Sequence, residues 1–129
     1  MKKTTEQWRA KAAWKQVHDS LNANSVKEFS TVADGAASLI QKVGFGQAVA
    51  FWRAKGGKNE NIVKFLSEWL LRPKDSNERD TSKDGKLLME ALIDKDSRGY
   101  RFYTNEAIAY LNWVKRFAKA RKQEVERGS

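Results

Sequence analysis

The sequence predicts an all-α protein: a single compact domain of about six helices that closes on a long C-terminal one. Apolar residues recur at spacings of three and four along almost the whole chain and scarcely ever alternate with period two. At 129 residues the chain has the length of one domain and can bury a core without staples. Residues that end helices gather at a few places, with glycines at 44, 46, 56 and 57 and the only proline at position 73.

The first helix opens on "TTEQ", where Thr4 and Gln7 have capping-box spacing, and runs to about Asn22 with Ala10, Ala13, Trp14, Val17 and Leu21 on one face. A second box, Ser25 to Glu28, opens a helix that buries Phe29, Ala33, Ala36, Ala37 and Ile40, with Gly35 as a place to bend. The next stretch, "KVGFGQAVAFWRAKGGK", reads as a corner. Gly44 falls where a helix end wants a left-handed residue, and Gly46 leaves room for a neighbouring helix. A stripe of Phe45, Ala48, Val49 and Trp52 follows, and Gly56 and Gly57 end that helix. A fourth helix, about Glu60 to Leu71, carries Ile62, Val63, Leu66, Trp69 and Leu70 up to Pro73. Residues of about 73–84 lack periodicity and predict a mobile loop. A short fifth helix holds Leu87, Leu88, Ala91 and Leu92. The sixth, Ser97 to about Glu124, places Tyr100, Tyr103, Ala107, Tyr110, Leu111, Val114, Phe117 and Ala118 in one arc. Residues 1–3 and 125–129 are expected to fray.

Several function classes are excluded or disfavoured. Without cysteine there is no disulfide framework, thiolate metal site or cysteine nucleophile, and a lone histidine, His18, rules out a histidine metal cluster. The longest wholly apolar run, "AVAFW", is far short of the ~20 residues that span a bilayer, and no signal-like segment follows the N-terminal lysines. The expectation is a cytoplasmic chain with no membrane partner. The G-x-G at 44–46 lacks the third glycine and the preceding strand of a dinucleotide fingerprint. "DTSKDGKLLMEA" places Asp80, Ser82, Asp84 and Gly85 like an EF-hand loop, but Ala91 stands where the closing carboxylate belongs; a turn followed by an Asp84 helix cap fits better. His18 reads as a packing histidine beside the first helix's stripe. No catalytic residue, metal site or cofactor is expected, and the protein is not expected to be an enzyme.

Charge is the loudest signal. Twenty-five Lys and Arg against 16 Asp and Glu leave a net +9, which favours a polyanionic partner. On the last helix, Arg101, Lys115, Arg116 and Lys119 line up opposite the core stripe with Asn105 and Asn112 between them, a ridge suited to a phosphate chain. Lys11 and Lys15 flank Trp8 on the back of the first helix, where an aromatic among cations can stack on a base or meet a protein partner. Arg53, Lys55 and Lys58 surround the second glycine corner and complete the expected RNA-contacting set.

The corner and the last helix also carry a family resemblance. Gly44 to Phe51 ("GFGQAVAF"), the N-terminal Arg9, Ala10 and Trp14, and the closing "YRFYTNEAIAYLNWVKRFA" resemble the small helical subunit of the Cmr complex, the type III-B CRISPR RNA-guided effector. Val43, Phe45 and the charged loop Pro73 to Lys86 depart from the usual pattern, so contacts made through that loop are not carried over. The resemblance implies a non-catalytic subunit in antiviral defence. It would stack in several copies beside other Cmr subunits and line a basic channel, touching the guide RNA/target RNA duplex through phosphates only. The alternative from composition alone is a basic helical protein–protein interaction module without direct RNA contact.

Overall fold

The structure, a computed structural model, describes residues 2–128. It contains six helices, α1 (Thr5–Ser20), α2 (Ala23–Val43), α3 (Phe45–Lys55), α4 (Lys58–Leu70), α5 (Gly85–Asp94) and α6 (Ser97–Gly128), and no strand among the described residues. The all-α expectation holds. α4 is central: Ile62, Val63 and every residue from Phe65 to Leu70 are buried, because α2, α3, α5 and α6 all pack on it. α6 lies along α2 and α1 and presents Ala107, Tyr110, Leu111, Val114 and Ala118 to them. An apolar stripe on one side and charge on the other is what holds so long a helix down on one face only.

Several boundaries and phases differ from expectation. The first capping box is as predicted, with Thr4 Oγ1 accepting from Gln7 N and Thr4 N donating to Gln7 Oε1. The second lies three residues earlier: Asn22 caps α2 by accepting from Asn24 N and Ser25 N, and Ser25 Oγ returns the bond. Asn and Ser are both cap formers, and the acidic residue at 28 mimicked a box one turn too late. α2 runs unbroken through Gly35, and α4 begins at Lys58, directly after Gly57. In α5 only Leu88 and Leu92 of the predicted apolar set are buried, while Leu87 faces solvent. α6 continues past Glu124 to Gly128; of the ends expected to fray, Met1 and Ser129 lie outside the described residues.

The largest correction concerns α1, whose buried face is Ala12, Ala13, Gln16 and Val17. Trp14, assigned to the core, is 49% exposed, whereas Trp8, placed on the back face, is half-buried and packs on the core. The helix is rotated by a buried polar residue. Gln16 Nε2 donates to the Phe65 carbonyl at 3.0 Å and to Glu68 Oε1 at 3.2 Å, and its Oε1 accepts from the Tyr110 hydroxyl. The charged loop is tied to the same place. Arg79 reaches Glu68 at 3.7 Å and Asp19 at 3.2 Å, and Asp80 N donates to the Glu68 carbonyl at 2.7 Å. Further along, Asp80 accepts from Ser82 and Asp84 caps α5 by accepting from Leu87 N at 3.1 Å.

The glycine corner is real, with a different backbone shape from the one expected. Gly44 has φ 90° and ψ 157°, an extended conformation at positive φ rather than left-handed helix. That region is open almost only to glycine. Gly46 N donates to the Tyr100 hydroxyl at 2.6 Å, and a Cβ on Gly46 would sit 3.1 Å from that oxygen, so the close neighbour is the start of α6. Gly44→Val is expected to lower stability by about 2 kcal/mol, within the ~1–3 kcal/mol range for such strain. Thermal melting should show it as a fall of about 4 °C per kcal/mol. An unchanged melting temperature would mean that the corner accepts a side chain.

Candidate nucleic-acid interface

The solvent side of α6 is built by the helix repeat. With Ala107, Leu111, Val114 and Ala118 held inward, Arg101, Asn105, Asn112, Arg116 and Lys119 are exposed on the opposite side. At 1.5 Å per residue, Arg101 and Lys119 stand about 27 Å apart along one face. Lys115, at the edge of this face, is within 3.6 Å of Asp34 on α2. Lys119 borders a groove of about 310 Å³ that it shares with Thr31, Asp34 and Lys122. An ion pair between half-exposed groups such as Lys115 and Asp34 is worth ~0–1 kcal/mol, so a phosphate can take its place.

The Trp8 group is a different environment. Lys3 Nζ and Lys11 Nζ lie 5.3 and 5.1 Å from the Trp8 ring centroid, so the ring already carries cations while its inner face packs on the core. Trp8, Lys11 and Lys15 line a cavity of about 290 Å³ walled on its far side by Asn77, Glu78, Arg79 and Thr81. The exposed tryptophan is Trp14. It contacts His18 at a tilt, with centroids 4.0 Å apart, and meets Phe117 edge-on at 5.2 Å; Phe117 in turn stacks on Trp113 at 5.5 Å. His18 Nδ1 lies 2.8 Å from the Trp14 carbonyl, and Trp113 Nε1 donates to Glu6 at 2.5 Å.

At the second glycine corner, Arg53 lies 4.0 Å from Glu60, Lys58 pairs with Glu28 at 3.1 Å, and Lys55 Nζ sits 5.5 Å from the Phe51 ring. The nine cations singled out from the sequence therefore fall into three groups on different elements: α1 with the loop, the α3–α4 corner, and α6. Only the α6 group forms an extended row.

Sequence reasoning missed the polar network beneath these groups. Arg9 grips Glu106 with two hydrogen bonds, of 2.6 and 2.8 Å, and Trp69 Nε1 donates to the same carboxylate at 3.0 Å. Burial pushes the Glu106 carboxyl up, but the hydrogen bonds from Arg9 and Trp69, with the charges of Arg9 and Arg72, outweigh it and leave it below the ordinary carboxylate range. Trp69 stacks on Tyr110 at 5.0 Å with the rings nearly parallel, and Arg72 lies over the Trp69 ring at 3.5 Å. Burial drives the Tyr110 phenol well above its usual value, so it remains a hydrogen-bond donor.

Comparison with known proteins agrees with the shape. The family model for CRISPR-associated proteins of the Cas_Cmr5 family matches residues 5–121, which takes in both the glycine corner and most of α6. The chain belongs to the Cmr5 family. A crystal structure of a CRISPR-associated Cmr5 family protein from Thermus thermophilus superposes with a TM-score of 0.74, at 26% identity, over 92% of this chain and 97% of that one. This Cmr5-family chain is accordingly a small subunit of the Cmr complex, the type III-B CRISPR effector. The residues that carry the resemblance meet in space: Arg9 from the first helix holds Glu106 from the last, and Gly46 of the corner bonds to Tyr100 at the start of α6. No described helix is long and apolar enough to cross a membrane.

Proposed function

We propose that this Cmr5-family chain is a non-catalytic structural subunit. It stacks in several copies with the other Cmr proteins in the cytoplasm and lines a basic channel for target RNA in antiviral defence. The observation that carries the RNA contact is the exposed row on α6, three cations and two amides on one solvent face with Lys115 at its edge and the core stripe behind them. Such a row contacts phosphates along a strand and reads no bases, a division of labour suited to an effector whose guide RNA reads sequence by pairing.

Reversing Lys115 and Lys119 to Glu is expected to weaken target RNA binding by the assembled complex for all sequences alike. The dependence on salt should become shallower by about 0.7–0.9 in log–log slope per lost phosphate contact. The complex is the right object because contacts too weak in one copy sum along a strand held by several. Unchanged affinity and slope with intact assembly would make the row a solvated face. The second reading, a module that only binds proteins, is favoured by the exposed Trp14 beside Phe117 and Trp113. Loss of assembly in the double variant would support it.

A further inference from the structure

A cavity of about 630 Å³ opens between the end of α4, the segment that follows it and the first turns of α6, and none of the nine cations discussed above lines it. Its chemistry is one-sided. Arg72, Lys74, Lys95 and Arg98 surround it, and the one carboxylate in its lining, Asp96, already accepts from Gly99 N at 2.8 Å. That bond caps the start of α6, whose dipole places positive partial charge at the cavity wall.

Arg72 is the second observation. Its guanidinium lies over the Trp69 ring at 3.5 Å and its Nη1 donates to the Trp69 carbonyl at 2.5 Å, which fixes the charge at the edge of the cavity. An oxyanion entering the cavity brings acceptors to this cationic rim.

Phe102 is the third. It lines the same cavity and is 62% exposed, next to Tyr103 at 6.2 Å between centroids, while Lys95 Nζ lies 5.1 Å from the Tyr103 ring. A free phenyl face among four cations suits a ligand that is anionic at one end and flat and aromatic at the other. Acidic side chains supply the charge without the flat face. Base stacking on an aromatic ring beside phosphate-binding cations is the usual way single-stranded nucleic acid is held. The volume is also that of a small-molecule site.

We propose that this cavity binds one unpaired nucleotide, its phosphate among Arg72, Lys74 and Arg98 and its base against Phe102. The site is separate from the α6 row and adds a base contact to a surface otherwise limited to phosphates, so it stands or falls independently of that row. The test is an NMR titration of the full chain with AMP, with ribose 5-phosphate and with an oligoglutamate peptide. AMP should shift the Gly99 amide and the Phe102 and Tyr103 rings and saturate, with ribose 5-phosphate binding at the same place more weakly. Phe102→Ala, at an exposed position, should weaken AMP at least about fivefold and leave ribose 5-phosphate unchanged. Arg98→Glu should weaken both. AMP shifts that fall elsewhere, or AMP binding that is indifferent to Phe102→Ala, overturns the proposal. Tighter binding of the oligoglutamate at these residues overturns it too, in favour of an acidic protein segment.

Discussion

Glu106→Ala is expected to destabilise the protein by about 3 kcal/mol, the low end of the cost of breaking a buried ion pair, because Glu106 is buried while Arg9 is part-exposed. Arg9 would lose two charge-assisted hydrogen bonds and the Trp69 indole its acceptor, all at the seam where α1, α4 and α6 meet. A thermal melt should fall by about 4 °C for each kcal/mol. Glu106→Gln separates charge from shape, because it keeps an acceptor for Trp69 and a hydrogen-bond partner for Arg9. The sign of its pH dependence follows from the direction of the Glu106 shift. Its folded carboxyl titrates below the ordinary value, so the stability it contributes is complete above that value and is lost as the pH falls through the folded pKa. The gap in unfolding free energy between wild type and Glu106→Gln should therefore be widest at neutral pH and shrink towards about pH 3. Denaturant melts at the two pH values check this. A gap that stays constant would place the stabilisation in packing and not in charge.

What the sequence disclosed, and what it withheld, follows from which interactions are local. The α6 core arc from Ala107 to Ala118 was legible because it repeats with the helix period over many turns, so no single residue decides its phase. The corner was legible because positive φ has few tenants besides glycine, and Gly44, Gly56 and Gly57 all adopt it. α1 failed for the opposite reason. At 16 residues it has half the length of α6, its largest apolar residues are Trp8 and Trp14, and the residue that sets its rotation is Gln16, which a hydropathy pattern assigns to solvent. Buried hydrogen bonds to Phe65 and Tyr110, distant in sequence, turn that residue inward.

The candidate site divides along the same line. The α6 row could be read from one helix, since one helix makes it. That Arg53, Lys58 and Lys115 meet Glu60, Glu28 and Asp34 depends on how helices cross, as does the convergence of Arg72, Lys74 and Arg98 on one cavity. Periodicity carries no record of such juxtapositions.

Gln16→Ala is expected to cost about 3 kcal/mol, on the scale of about 1–3 kcal/mol for each buried polar group left without its partner. The Tyr110 hydroxyl loses its acceptor in a fully buried position, and Glu68, itself buried, loses one of its donors. The prediction is specific to the hydrogen bond and not merely to lost volume, which a double-mutant cycle with Tyr110→Phe can show. In the wild-type background that change removes one partner and strands the amide oxygen of Gln16; in the Gln16→Ala background it removes a hydroxyl that already has nothing to bond to. The two changes should therefore be coupled by at least about 1 kcal/mol. Additive effects would mean that Gln16 acts by filling space alone. The consequence should also reach the surface, because Glu68 is the point to which Arg79 and the Asp80 N–H tie the charged loop. With Gln16 gone, Glu68 is held by the loop alone, and hydrogen exchange at the Asp80 amide should accelerate. The same loop forms the far wall of the cavity beside Trp8, Lys11 and Lys15. A polar residue buried in α1 thus sets the rotation that brings Trp8 onto the core and, through Glu68, the position of the wall opposite it.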